Sequence, residues 1–441
     1  MPLNAWKSMK TIFFYLILIC SLTANAQENM YPSPAQMAPV LIKGGTIHQG
    51  NGQVIENGFI LFEKGKITAV GKGETQSSSS TVIVDAKGKH LYPGIIAAST
   101  NLGLIEVSAV RSTADYNEVG AMNPNVHSLV AYNTDSKIIN TLRTNGILLA
   151  HIVPAGGILS GTSSVVQLDA WNWEDAAYKT DNGIHFNMPV LLNQAVPPGR
   201  VSAEQVDAVK QGLDKIEEVR TFFREAKAYN NEPNHLKINL KFEAVKGLFN
   251  HSQSFFVHCD LVREMIIAID FAREFGFKLV IVGGSDSWII PEILRENNAA
   301  VILAQPHSLP SMDDDDVDQP YKNGAALQKA GVVFTICEDQ GFGYWRQRDI
   351  PFQAGTMAAY GLTKEEALTS ITLNAAKILG IDNLTGSLEK GKDANVVVSE
   401  GDLLDMKSSK VTEAFIQGRK INLDNKQTQL FEKYKYKYSI K

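Results

Sequence analysis

The feature that most constrains this chain is an alternation. From Pro93 onward, apolar runs of strand length alternate with longer amphipathic stretches of helix length. Parallel strands need a crossover long enough for a helix, so this alternation is the mark of βαβ units. The strand-like runs are 94–97, 147–153, 183–188, 254–258, 278–282, 300–304 and 332–336. The helix-like stretches are 202–229, 260–275, 287–296 and 364–371. Seven such strands in 441 residues suit a large barrel with one strand unplaced. A doubly wound open sheet is the alternative.

The block is flanked by β pattern on both sides. Residues 40–92 hold short strand-like runs with close turns, and 385–425 hold two more. A β-rich start and end around an α/β middle predict one small domain built from both termini. The divisions expected are a leader 1–26, a linker 27–39, β segments 40–92, the α/β block 93–384, β segments 385–425 and a tail 426–441. The tail alternates lysine and tyrosine and is expected to be solvated.

The leader reads as a secretory signal. Lys7 and Lys10 form a basic start, 12–22 is apolar, and Ala24-Asn25-Ala26 is a small-x-small cleavage site. Cleavage after Ala26 predicts an exported protein, periplasmic or secreted. Met9 is a second candidate start. The apolar run is too short to cross a bilayer, and no other segment is apolar enough. Removing the leader leaves Cys259 and Cys337, each in an apolar strand-like run, which predicts two buried, unbridged thiols. The formal net charge of -5 gives no electrostatic case for nucleic acid or an anionic membrane as a partner.

Specific motifs then point to a family. The turn at Gly44-Gly45, with "NGFILFEKGKITAVGKG" (57–73) and "VIVDAKGKHLYPGII" (82–96), resembles the opening strands of the amidohydrolase superfamily. "EEALTSITLNAAKILGIDNLTGSLEKGKDANVVV" (365–398) resembles its closing segment. The likeness is to metal-dependent hydrolases of the imidazolonepropionase kind. It implies a (β/α)8 TIM-like barrel with a small composite β-sandwich domain formed by both chain ends. It also implies a metal site at the C-terminal ends of the barrel strands, where metal-activated water attacks a carbon–nitrogen bond.

The resemblance assigns positions, and the chain departs from several. Ser99 and Asn101 stand where the first strand's His-x-His pair would be, and Ala97 replaces the usual aspartate. Neither serine nor asparagine supplies an imidazole or an ionised oxygen, so both are weak ligands. His185 falls at the fourth-strand position, either as a substitute ligand or as a structural strand histidine. His258 ends the fifth strand as the family histidine does. Gly283-Gly284 occupy the sixth-strand histidine's place, with Asp286 the nearest polar substitute. Asp339, next to Glu338, stands at the proton-accepting aspartate of the eighth strand. His185, His258 and Asp339 together would hold one divalent metal, zinc by donor type, weakly or not at all.

Other segments carry weaker signals. Residues 115–118 and 123–127 form a polar loop expected over the barrel mouth, either for substrate or as surface packing. The glycine-rich 154–161 reads as a tight loop rather than an anion cradle, and the acidic run 313–316 as a solvated loop. Arg346 and Arg348 follow the eighth strand as candidate carboxylate holders, with exposed salt bridges as the alternative. Two functions remain open. One is a hydrolase of non-peptide carbon–nitrogen bonds with a reduced metal site, acting on a small molecule. The other is a catalytically silent relative that binds a ligand or partners an active paralogue.

Overall fold

The computed structural model describes residues 31–189, 191, 207–232, 234–338 and 343–440. The architecture below is that of the unit formed by residues 33–441.

The first five strands are β1 (Val40–His48), β2 (Val54–Glu63), β3 (Lys66–Lys72), β4 (Val82–Asp85) and β5 (His90–Pro93). The next eight are β6 (Ile95–Thr100), β7 (Ile147–Ile152), β8 (Leu159–Gln167), β9 (Ala177–Asn187), β10 (Ser254–Cys259), β11 (Leu279–Gly283), β12 (Ala300–Leu303) and β13 (Phe334–Ile336). The last three are β14 (Val396–Ser399), β15 (Val411–Ile416) and β16 (Arg419–Lys420).

Both chain ends share one sheet, as expected. Its order is β16-β15-β14-β5-β1-β2-β3, with β4 also paired to β1. The β2–β3 hairpin turns through Lys64 (φ 52°) and Gly65 (φ 78°), the pair of positive φ values that matches the right-handed twist of the strands. The two ends are stitched where β14 runs antiparallel to β5, with Val396 opposite Pro93. Ile42, Ile60, Phe62, Leu91, Val396 and Phe415 form its own apolar core.

The middle block is a nearly closed eight-stranded barrel, so the open-sheet alternative falls. Its ladder runs without a break from β6 to β13. The strand missing from the sequence pattern is β8, and it is antiparallel to both β7 and β9. The other pairs, β6–β7 and β9 through β13, are parallel. Residues 159–161, expected to be loop, therefore open a strand. All nine β8 residues are buried, yet Ser160, Gly161, Thr162, Ser163 and Ser164 give it no apolar signature. Its hydroxyls find partners far along the chain: Thr162 Oγ1 donates to Pro124 O at 2.8 Å. Gly161 is required where it stands, because a Cβ there would lie 2.5 Å from Val126 O.

Barrel strands are buried on both faces, which is why they read as continuous apolar runs. Ile96, Leu149, Val165, Phe256, Val280 and Ile302 pack together inside. Outward residues such as Leu148, Phe255, Ile281 and Val301 pack against the helical layer. The helix Val262–Phe275 buries Met265, Ala268, Ile269 and Ala272 at helical spacing and stops at Gly276 in the left-handed conformation. The helix predicted over 202–229 is Ala208–Asn231, capped by Asp207, with 202–206 outside the described residues. The tail is a helix too, Lys426–Lys437, with no buried residue.

Candidate functional site

Three histidines stand inside the barrel, on β7, β9 and β10. His258 sits near the C-terminal end of β10, and His185 on the neighbouring β9 is fully buried. His185 Nδ1 lies 2.9 Å from His258 Nε2. The His185 ring stacks on Phe256, centroids 4.7 Å apart. Its Nε2 has no hydrogen-bond partner.

His151 on β7 completes the row, and sequence reasoning missed it. Its Nδ1 is 2.8 Å from Ala98 O and its Nε2 is 2.8 Å from Ser163 Oγ. The signal was present: His151 follows Leu149 by two residues, and alternate residues of a barrel strand face inward. Burial holds all three imidazoles neutral. It lowers His151 to about 3 and His258 to about 4, and it pushes His185 well below its usual value.

Above His258 opens a cleft of about 550 Å³, of a size that takes a small molecule. Asn187, His258, Asp260, Gly283, Gln305 and Cys337 are among its walls. These lie at or beyond strand C-termini, where the family places its site. Its loops are fixed by acidic residues. Asp260 Oδ1 accepts from Ser285 Oγ at 2.8 Å, and Glu264 Oε2 accepts from the Leu261 N–H at 3.2 Å. Cys259 and Cys337 are both buried and outside any disulfide.

The other predicted positions separate. Asn101 Nδ2 donates to Val153 O at 2.7 Å, so that side chain is committed to the neighbouring strand end. Ser99 O and Glu338 O each accept from Gln347 Nε2 at 3.3 Å. Gln347 thereby bridges β6 to the end of β13, across the barrel's seam. Gly283 and Gly284 have φ of 102° and 61°, a backbone that side chains rarely adopt. Asp286 Oδ2 accepts from the Val262 N–H at 3.3 Å and holds the start of that helix.

Asp339 lies outside the described residues. Glu338 beside it is fully buried, and its Oε2 is 3.6 Å from Arg346 Nε. Arg348 lies over the Trp345 ring at 5.1 Å, and its Nε is 3.7 Å from Asp349. The polar loop runs down the flank of β8 and does not simply cap the mouth. Asn123 N donates to Leu159 O and Thr162 N to Val126 O, and His127 Nδ1 meets Asp181 Oδ1 at 2.7 Å.

A resident metal has few donors here. Among the described residues no group of three or more histidine, cysteine or acidic side chains is placed to hold an ion. Two imidazole nitrogens sharing a tetrahedral zinc, at about 2.0–2.1 Å each, stand about 3.3 Å apart. The 2.9 Å between His185 and His258 is the spacing of an N–H···N hydrogen bond.

Comparison with known proteins agrees with this architecture. Residues 322–421 match the amidohydrolase family. The imidazolonepropionase of Streptococcus gordonii is 24% identical over 396 residues, spanning 80% of this chain and 86% of its own. A solved amidohydrolase from Thermotoga maritima superposes with TM-score 0.72 at 25% identity, covering 87% of this chain and 99% of that one. Molinate hydrolase, at 15% identity and TM-score 0.55, covers 89% of this chain and 96% of its own and shares the fold.

Proposed function

This chain belongs to the amidohydrolase superfamily, and from that premise we propose that it binds a small polar molecule at the barrel mouth with a degenerate metal centre. One observation carries the reading. The two histidines nearest the mouth spend ring nitrogens on each other, at 2.9 Å, where a metal would need both lone pairs. A bound molecule would find a neutral imidazole at His258, the amide groups of Asn187 and Gln305, and close backbone approach at Gly283. No hydrolytic step is assigned to these groups.

A second reading keeps the family's reaction class, hydrolysis of carbon–nitrogen bonds other than peptide bonds, with one weakly held divalent ion. What favours it is His185 Nε2, a buried ring nitrogen without a partner. Zinc suits such donors, and held there it would polarise a carbonyl and lower the pKa of water.

One experiment separates the two. The mature protein is screened by thermal shift against cyclic amides and N-acyl amino acids, and the same compounds are assayed for turnover with added zinc. Stabilisation without turnover supports the binding reading. Zinc-dependent turnover that His258→Ala abolishes overturns it in favour of the hydrolase.

Export is part of the proposal. It rests on Lys7, Lys10, the apolar run 12–22 and the site at Ala24-Asn25-Ala26, which together direct the mature chain to the periplasm or medium. Among the described residues no helix is long and apolar enough to cross a membrane.

A further inference from the structure

The lysine–tyrosine tail has no part in the barrel site. Its helix Lys426–Lys437 begins at Asn425, whose Oδ1 accepts from the Thr428 N–H at 2.9 Å. The first turn is tied to the helix Lys137–Arg143, with Thr141 Oγ1 donating to Gln427 Oε1 at 3.0 Å. Beyond that turn the helix stands open. Leu430 is 38% exposed, Phe431 61%, Tyr434 48% and Tyr438 62%.

These four are not scattered. At about 100° per residue they fall within an arc of about 100° on one face, extended by one residue past the helix end. Lys426, Lys433 and Lys437 lie along one edge of that arc and Lys435 along the other. Glu432 falls on the opposite side. The Tyr434 and Tyr438 rings stack at 6.4 Å, with Lys437 Nζ 5.9 and 5.2 Å from their centroids. From residue 426 on there are five lysines and a single acidic side chain, Glu432, in a chain whose net charge is -5.

We propose that this helix docks on an anionic phospholipid surface, lying in the interface with Leu430, Phe431, Tyr434 and Tyr438 against the acyl boundary. An apolar arc edged by lysines is the build of an interfacial helix. Tyrosine places an apolar ring and a polar tip at that boundary, and lysine stems reach along the apolar face while their ammonium groups stay at the headgroups. Charge complementarity decides the occupant. Protein interfaces are depleted in lysine and favour arginine, and this tail has lysine and no arginine. The first turn, fixed to the protein through Gln427 and through Asn425 Nδ2, which donates to Thr144 Oγ1 at 3.4 Å, sets the direction in which the helix presents its arc.

The test is vesicle flotation of the mature protein. Vesicles of phosphatidylglycerol mixed with phosphatidylcholine are compared with vesicles of phosphatidylcholine alone. The expected result is flotation on the anionic vesicles only, suppressed by salt. Each lysine near the surface contributes about fivefold, so K433Q/K435Q/K437Q lowers partitioning by about 100-fold. Tyr434→Ser with Tyr438→Ser weakens binding without removing its salt dependence. None of these side chains is buried, so thermal unfolding of the variants stays at the wild-type value. Failure of the wild type to float, equal flotation on neutral vesicles, or full binding by the lysine variant overturns the proposal. So does self-association of the wild type that the same variants abolish, which would make the face a protein docking surface.

Discussion

His185 Nδ1 and His258 Nε2 lie 2.9 Å apart, joining β9 to β10 inside the barrel just below its C-terminal mouth. That bond occupies the place where the superfamily is expected to gather metal ligands. It is maintained by burial, which keeps both rings neutral so that one can donate and the other accept. Its consequence is for metal content.

Metal content follows first. Catalytic zinc sites use about three protein ligands and a water. Purified mature protein, dialysed against a weak chelator, is expected to retain less than one tightly bound transition metal per chain. His258→Ala is expected to leave that content unchanged. Elemental analysis decides the matter, and two metals stably retained per chain would refute the proposed site.

The pH response follows from His151. Its folded value, about 3, lies below the usual 6.5 because the ring is buried. The native state therefore refuses a proton that the unfolded state accepts. Its contribution to stability is complete above pH 6.5 and is lost as pH falls from 6.5 toward 3. The slope in that window is about 1.4 kcal/mol per pH unit. Urea unfolding of wild type and His151→Gln at pH 7 and pH 5 is expected to narrow their difference by about 2 kcal/mol. A constant difference would show that His151 is not held neutral.

Gln347 closes the barrel where its ladder ends. It is fully buried, and its amide donates to carbonyls on both sides of the seam, Ser99 O and Glu338 O. Gln347→Leu keeps much of the volume but withdraws that donor. The expected loss is about 1–3 kcal/mol in chemical denaturation. A loss below the error of the measurement would mean that the seam is held by other contacts.

Asp169 joins the barrel to the terminal sheet. Its Oδ1 is 2.7 Å from Arg143 Nη1, its Oδ2 is 3.1 Å from Arg419 Nη1, and the Ser33 N–H donates to it at 2.9 Å. Asp169→Ala would leave Arg143 buried without its counter-charge, at a cost of about 3–5 kcal/mol. An unfolding midpoint equal to wild type would rule out that coupling.

The mature chain is expected to begin at Gln27. N-terminal sequencing of exported material checks this, and secreted protein that still starts at Met1 or Met9 would refute the cleavage site.

What the amino-acid order determined by itself is the architecture. The apolar runs at 254–258 and 300–304 are β10 and β12 within a residue, because a strand buried on both faces must be apolar throughout. The sharing of one sheet by both ends was legible for a similar reason: β segments too short to bury their own faces must find partners. Tertiary structure alone placed β8, a strand of serine, threonine and glycine whose polar groups are satisfied by a loop from residues 121–126 and by residues of β7 and β9. Local pattern carries no sign of that, since the partner groups are distant along the chain. The same holds for the site. His185 and His258 were named from their positions, but their mutual bond, the place of His151 in the row and the positive φ at Gly283 are decided in three dimensions. An imidazole's role depends on what faces it, and the chain brings those faces together only by closing the barrel.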